Sequence, residues 1–235
     1  MTTLGAILLA RMDSSRLPGK QLKRVGSKRV MDFIVERVRA IRGLDCAILA
    51  TSDRSCDDPL VKYADAHGIS CYRGDAVDVA GRVAGAIQHF NLTAWARINC
   101  DSPLIDHTLY SEAIDIFRTG HYEIVTNGLM RTYPIGNTVE IFSSELFLDG
   151  YAEMREVDHH EHVTLYFYQH AERYTIYSMQ ATDPTLRRHS LAIDTPEDLE
   201  RFRWMVEQMD GSHVNYGRTD LLQLLDRCPI KTVSH

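Results

Sequence analysis

The sequence predicts an α/β protein built on a mixed, mainly parallel sheet flanked by helices. Three observations carry that prediction. Continuous apolar runs bounded by polar loops, of which residues 4–10 (LGAILLA) are the clearest, suit strands covered on both faces. These runs alternate with stretches whose apolar residues recur every three or four positions, the spacing of a helix with one buried face. Capping and stopping residues (Asp-Pro, Thr-Pro, Gly) fall where one kind of run gives way to the other.

Residues 4–10 form the central strand in this reading. After a polar loop, Val30, Ile34, Val38 and Ile41 recur at helical spacing and Gly43 ends the pattern, which predicts a helix over about 29–42. The apolar run 46–51 is the next strand. Asp58 then reads as an N-cap with Pro59 at the first helical position, and Gly68 closes that helix. Residues 69–72 are short and extended, 77–90 helical, 95–98 a buried strand, and 106–118 an amphipathic helix stopped by Gly120. The later third is less regular. Strands are predicted over 123–126, 138–142, 174–179 and 190–193, with helices near 144–152 and 158–170, and Thr195-Pro196-Glu197-Asp198 caps a helix to about Met209. No linker or repeat divides the chain. The reading is one domain over 1–235, with an inserted substructure at about 128–180 forming a dimer contact.

With 235 residues, 44% hydrophobic and 25% charged, the chain can bury a full core, which excludes disordered and fibrous classes. The net charge of −6 argues against a nucleic-acid binder. That charge is unevenly spread, because residues 11–42 carry ten basic side chains against three acids. A local anion site is the natural reading of this segment. Arg37, Arg39 and Arg42 fall on the predicted helix and are read as a face turned to water. Five cysteines without CxxC spacing indicate neither a disulfide framework nor a zinc ribbon and fit a reducing cytoplasm. The first apolar run is broken by Arg11 and is too short for a signal peptide or a membrane span, so no membrane partner is expected.

In open α/β sheets, ligands sit beyond the carboxyl ends of the strands, so the loops after Ala10, Ile98 and Ile193 should converge. The first holds Arg11, Arg16 and Lys20 with Ser14, Ser15 and a Pro18-Gly19 turn, a set that suits a polyphosphate. The spacing GxxxxGK[ST] is absent, which speaks against a P-loop ATPase. Asp101 and Asp194, at the ends of two further strands, are what a magnesium ion between phosphates and protein requires. The competing reading makes Asp194 a turn residue ahead of the Thr195 cap and Asp101 an Asx turn before Pro103. The cluster His159-His160-Glu161-His162 lacks HExxH spacing and reads as surface or acceptor pocket rather than a metal site. Tyr166, Phe167 and Tyr168 behind it read as core or dimer contact.

Residues 10–22, ARMDSSRLPGKQL, resemble the ARxxSxRLPGKxL signature of the cytidylyltransferases that activate sugar acids. The chain is most similar to the SpsF-like branch of that family, named for spore coat polysaccharide biosynthesis protein F. Further matches follow in family order: Ala50-Thr51-Ser52-Asp53 with Asp57-Asp58-Pro59-Leu60, Tyr72-Arg73-Gly74-Asp75 with Gly81-Arg82, Cys100-Asp101-Ser102-Pro103, Glu161-His162-Val163-Thr164, and Ile193-Asp194-Thr195-Pro196-Glu197-Asp198. The resemblance implies the Rossmann-like fold of nucleotide-diphospho-sugar transferases and a homodimer. It implies that Arg11, Arg16 and Lys20, aided by Ser15, hold the triphosphate of CTP as the catalytic set, and that Asp101 and Asp194 hold Mg²⁺. Leu9 and Ala10, with Thr51, Arg82 and Asn99, would lie near the nucleoside; Asn99 stands where the CMP-Kdo synthetases usually carry Gln. The implied reaction moves CMP from CTP to a small anionic acceptor, with Glu140, His160 and His162 as acceptor-side candidates. Asp13 departs from the family pattern, which usually has a small residue there, and Asn137-Thr138 depart from it in the acceptor region. Alternatives stay open: another NTP or a sugar-phosphate or phosphonate acceptor, a silent nucleotide-binding module, or a glycosyltransferase, although the chain contains no Asp-x-Asp.

Overall fold

A computed structural model describes residues 3–230 of the protein. β1 (Leu4–Leu9) is followed by a polar loop and a small hairpin of β2 (Arg24–Val25) and β3 (Lys28–Arg29), which leads into α1 (Val30–Arg39). Strands and helices then alternate: β4 (Cys46–Ser52), α2 (Asp58–Ala66), β5 (Ser70–Gly74), α3 (Val79–His89), β6 (Ala94–Asn99) and α4 (His107–Phe117). β7 (Ile124–Thr126) and β8 (Glu140–Ser143) precede three helices, α5 (Ser144–Glu153), α6 (Val157–Glu161) and α7 (Leu165–Gln169). After β9 (Ile176–Ser178) come α8 (Pro196–Glu207) and α9 (Arg218–Arg227).

Seven strands form one sheet in the order β5-β4-β1-β6-β8-β7-β9, with β8 antiparallel to both neighbours and the other pairings parallel. This is the mixed, mainly parallel sheet that the sequence predicts. β1 lies between β4 and β6, and the chain steps outward to β5 before returning to the other side of β1. That reversal opens a crevice beyond the carboxyl ends of β1 and β6. Both faces of β1 are covered: Leu4, Ala6 and Leu8 join the apolar cluster packed by α1, α4 and α8, whereas Ile7 joins Ile48 and Ala50 under α3 and α5. Trp95, Phe142 and Phe147 anchor the second cluster, with Trp95 stacked on Phe142 at 5.4 Å and edge-on to Phe147 at 4.8 Å.

Several expectations are corrected. Arg37 does not face water. Its side chain is wholly buried, donating to the carbonyls of Ile105 (2.9 Å), Tyr216 (2.9 Å) and His213, while Arg39 and Arg42 are exposed as expected. Residues 190–193 form no strand of the sheet and make a single bridge, Ser190 to Ile135, because the Ile193 carbonyl and amide are used by Lys20 and Asp101. The helix predicted over 158–170 is two short ones, α6 and α7, broken at residues 162–164. Asp57, not Asp58, stands ahead of α2, and its carboxylate is taken by the Met12 and Ser52 amides and the Ser52 hydroxyl. The β2–β3 hairpin and α9 were not anticipated; the hairpin turns at Gly26, whose φ is +59°.

Gly136 is the position where the backbone most needs glycine. Its φ is +93°, and a Cβ there would lie 2.9 Å from the Ala192 nitrogen and 3.0 Å from the Leu191 carbonyl carbon. Gly136→Ala is expected to cost about 2 kcal/mol or more, read as a fall of several degrees in the thermal midpoint.

Candidate active site

The loop after β1 is shaped before any ligand arrives. Gly19 sits at φ +66° and its amide donates to the Met12 carbonyl at 2.8 Å, closing the loop on itself, while Leu17 buries its side chain as an anchor. The chain then enters a short 3-10 turn whose first residue is Lys20. The Lys20 ammonium is almost entirely buried. It donates to the Ile193 carbonyl at 2.7 Å and to Asp194 Oδ1 at 2.9 Å, and lies 3.7 Å from Asp101 Oδ2. Asp194 is fixed in turn by α8. Asp198, three residues after the capping Thr195, accepts the amides of Asp194 (3.0 Å) and Thr195 (2.9 Å), and the Thr195 hydroxyl accepts the Asp198 amide. The Ile193 amide donates to the Asp101 carbonyl at 2.8 Å, which joins the two carboxylate-bearing segments.

Beside them lies a cleft of about 320 Å³ lined by Arg11, Asp13, Ser14, Ser15, Arg16 and Lys20 together with Asp194. Arg16 Nη2 reaches to 3.3 Å of Asp194 Oδ2. The side chains of Asp101 and Asp194 are 36% and 32% exposed, so both remain accessible to a ligand while flanking the same ammonium. The structure therefore brings Arg16, Lys20, Asp101 and Asp194 together, from three loops far apart in sequence.

Arg11 lines this cleft as well, its Nη1 donating to the Ala76 carbonyl at 2.5 Å and its Nε lying 3.4 Å from Asp13 Oδ1. Arg82 is buried nearby and donates to the Asp75 carbonyl at 2.9 Å. Burial and the adjacent Arg11 charge push Arg82 down to about 10, which leaves it a cation at neutral pH. Its Nε and the buried Thr51 hydroxyl lack protein partners, two orphaned polar atoms at the candidate nucleoside side. Leu9 and Ala10 lie at the end of β1, Leu9 packed against the cluster under α3 and Ala10 buried. Asn99, paired with Leu9 across the strands, lines a neighbouring cleft.

That second cleft, of about 370 Å³, is lined by Arg97, Asn99, Arg131, Glu140, His162 and Tyr168 among others. Glu140 is buried and fully engaged: Oε1 accepts the hydroxyls of Thr164 (2.8 Å) and Tyr168 (2.6 Å), and Oε2 accepts Arg97 Nη1 (3.2 Å). Burial and the Glu140 charge push the Tyr168 phenol well above its ordinary value, so it serves as a donor. His162 is exposed in the break between α6 and α7. His160 is not among the residues lining this cleft. Its Nδ1 is 2.9 Å from Asp78 Oδ1, and Asp78 also accepts Tyr151 OH and caps α3 through the Gly81 amide. Tyr166 and Phe167 are core residues, as read from the sequence. Tyr168, read from the sequence as core or dimer contact, instead lines this cleft and donates to Glu140, and sequence reasoning passed over Arg54, Arg97 and Arg131. Arg97 did leave a signal, as the charged residue inside the buried run 95–98.

Comparison with known proteins supplies the family. A model of the family described as cytidylyltransferase matches residues 5–218. Spore coat polysaccharide biosynthesis protein SpsF of Bacillus subtilis (strain 168) is 30% identical to this chain, over 95% of it and 94% of SpsF. The 8-amino-3,8-dideoxy-manno-octulosonate cytidylyltransferase of Shewanella amazonensis is 26% identical over 83% of this chain and 81% of its own. A solved cytidylyltransferase from Leptospira borgpetersenii superposes with a TM-score of 0.91 at 25% identity, covering 100% of both chains. Its fold is thus that of the nucleotide-diphospho-sugar transferases, and this chain belongs to the cytidylyltransferase family, the CTP-dependent nucleotidyltransferases.

Proposed function

We propose that this enzyme transfers CMP from CTP to a small anionic acceptor of the sugar-acid type, releasing pyrophosphate, in the biosynthesis of a cell-surface polysaccharide or glycoconjugate. The observation that carries the reading is the convergence of Lys20 on Asp101 and Asp194 beside Arg16 and a serine-bearing loop. SpsF is named for a polysaccharide pathway and the Shewanella relative for an octulosonate, and both support the acceptor class.

An acceptor oxygen attacks the α-phosphorus and the bond to the pyrophosphate oxygen breaks, so negative charge grows on the leaving group. Such a displacement depends on positioning and charge neutralisation more than on covalent chemistry. Lys20, fixed by three oxygen contacts, offers a cation that needs no reorganisation as that charge develops. Arg16 and Arg11 add guanidinium donors and Ser15 a hydroxyl on the same cleft. Leu9, Ala10, Thr51 and Arg82 are assigned to the nucleoside, and Asn99, which lines the second cleft, to the border between nucleoside and acceptor.

Asp101 and Asp194 suit a hard divalent cation: two partly exposed carboxylates that flank the same ammonium would hold Mg²⁺ through hard oxygen donors. Among the described residues, no group of three or more His, Cys, Asp or Glu could hold a metal ion by itself. When bound, the ion supplies charge neutralisation at the phosphates.

The acceptor enters the second cleft. Glu140 orients Arg97 there, Arg131 is exposed at the edge, and His162 is available to an acidic group or to a proton. His160 is held by Asp78 and does not line this cleft, so the acceptor-side role falls to Glu140 and His162. A homodimer through 128–180 belongs to the same proposal and is supported by exposed Met130, Ile135 and Tyr177. So does a cytoplasmic setting, which the free thiols fit; among the described residues no helix is long and apolar enough to cross a membrane.

The test is a thermal-shift screen of CTP, UTP, ATP and GTP with and without Mg²⁺, then pyrophosphate release over sugar acids, sugar phosphates and phosphonates. CTP with Mg²⁺ is expected to give the largest shift, and a sugar acid the fastest release. Equal shifts for all four nucleotides would overturn the CTP assignment.

A further inference from the structure

Asp13 places a carboxylate in the loop assigned above to a triphosphate, where bare electrostatics makes it repel the ligand. Its surroundings show how the fold accommodates it. Arg54 Nη2 lies 2.5 Å from Oδ2 and Arg11 Nε 3.4 Å from Oδ1, so one carboxylate bridges guanidiniums from two different loops. Burial works against its charge, but the Arg54 hydrogen bond and the charges of Arg11 and Arg54 outweigh this and hold its pKa below the ordinary value. It is therefore ionised at neutral pH.

The bridge is open to the ligand. The side chains of Arg11, Asp13 and Arg54 are all about one-third exposed or more, and Arg11 and Asp13 line the same cleft as Arg16 and Lys20. Arg54 is anchored at its base, since its amide and Nε both donate to the Ser52 hydroxyl at 3.3 Å and Arg73 holds its carbonyl at 2.9 Å. Only the end of the side chain has to move to exchange partners. A carboxylate and a phosphate present guanidinium donors with similar pairs of charged oxygens.

We propose that Asp13 is an internal counter-ion that occupies Arg11 and Arg54 in the nucleotide-free enzyme and is displaced when the nucleotide's phosphates take those guanidiniums, which makes Arg54 a further phosphate-binding residue. The inference rests on the placement of the triphosphate at this loop. Without Asp13, two cations would stand unpaired and the loop would lose the contact that aligns them. With it, nucleotide binding must first break that pairing, so affinity is held down.

The experiment is calorimetric titration of CTP with Mg²⁺, without acceptor, into wild type, Asp13→Ser, Asp13→Asn, Arg54→Ala, the Asp13→Ser/Arg54→Ala double variant and Lys20→Ala. Asp13→Ser and Asp13→Asn are each expected to tighten CTP binding about fivefold, and Arg54→Ala to weaken it about fivefold. The Arg54→Ala loss should be larger in the Asp13→Ser background, because there Arg54 has no internal partner to give up. The near-isosteric Asp13→Asn carries the test if Asp13→Ser fails to fold. Unchanged or weaker binding by a folded Asp13 variant, or no effect of Arg54→Ala, overturns the proposal. If Lys20→Ala weakens CTP while the Asp13 variants do nothing, the counter-ion fails alone; if Lys20→Ala also leaves binding unchanged, the placement of the triphosphate fails with it.

Discussion

Lys20→Ala is expected to lower kcat/KM for CTP by at least about 100-fold, roughly 3 kcal/mol of transition-state stabilisation. The magnitude follows from where the ammonium sits. Lys20 is 6% exposed and its nitrogen contacts the Ile193 carbonyl, Asp194 and Asp101, so its position is set before the nucleotide arrives. A preorganised charge in a water-poor site is worth more than the same charge on a mobile side chain. The substitution also leaves two carboxylates facing each other without the cation between them, so ground-state binding of a polyanion suffers with turnover. Steady-state pyrophosphate release, with circular dichroism to establish that the variant is folded, measures the effect. Retention of more than a tenth of wild-type activity would overturn the assignment.

The second large effect falls on stability. Arg37→Leu is expected to cost about 3–5 kcal/mol, because it strands the carbonyls of Ile105, His213 and Tyr216 in a buried site. In a chain of this size that corresponds to a fall of roughly 10 °C in the thermal midpoint. Burial pushes Arg37 down to about 10, with Asp106 opposing, so the group remains charged at physiological pH. A pH signature accompanies it. Burial and the Arg37 charge depress the pKa of His213 below its ordinary 6.5, against the pull of Glu36. A histidine depressed in the folded state binds its proton more readily when unfolded, so the stability it supports is complete above 6.5 and declines as pH falls below that value. Thermal midpoints between pH 8 and 5 should fall on the acid side of 6.5, and less steeply in a folded Arg37 variant, where the repelling charge is gone.

Arg37 also shows what the sequence could have told. Spaced three after Ile34 and four before Ile41, it lies on the apolar stripe that defines α1, and its burial was legible in that spacing. Charge type argued for water and periodicity argued for the core; periodicity prevailed because three backbone carbonyls were available to pair it. The strands and helices up to α4, the β2–β3 hairpin apart, were legible because each covers its apolar residues against the same sheet. Residues 190–193 were not, since an apolar run says that a segment is buried but not whether its hydrogen bonds go to a strand or to a lysine. In the candidate site, residue types pointed to anion and metal chemistry. The partners each cation takes could not be read, because Arg11 finds Ala76 and Asp13 finds Arg54 only through tertiary folding.

The bonds from Lys20 to Ile193 and Asp194 join residues 173 and 174 positions apart. A ribosome delivers the basic loop early and its acidic counterpart only when most of the chain has been made. Until then Lys20 lacks the Ile193 and Asp194 oxygens that fix it, and closing so long a span is a late, entropically costly event in folding. Nascent or C-terminally truncated chains that stop short of Asp194 would thus carry the signature sequence without a working nucleotide site. With the triphosphate placed as proposed, CTP binding would report whether the chain has been made as far as Asp194.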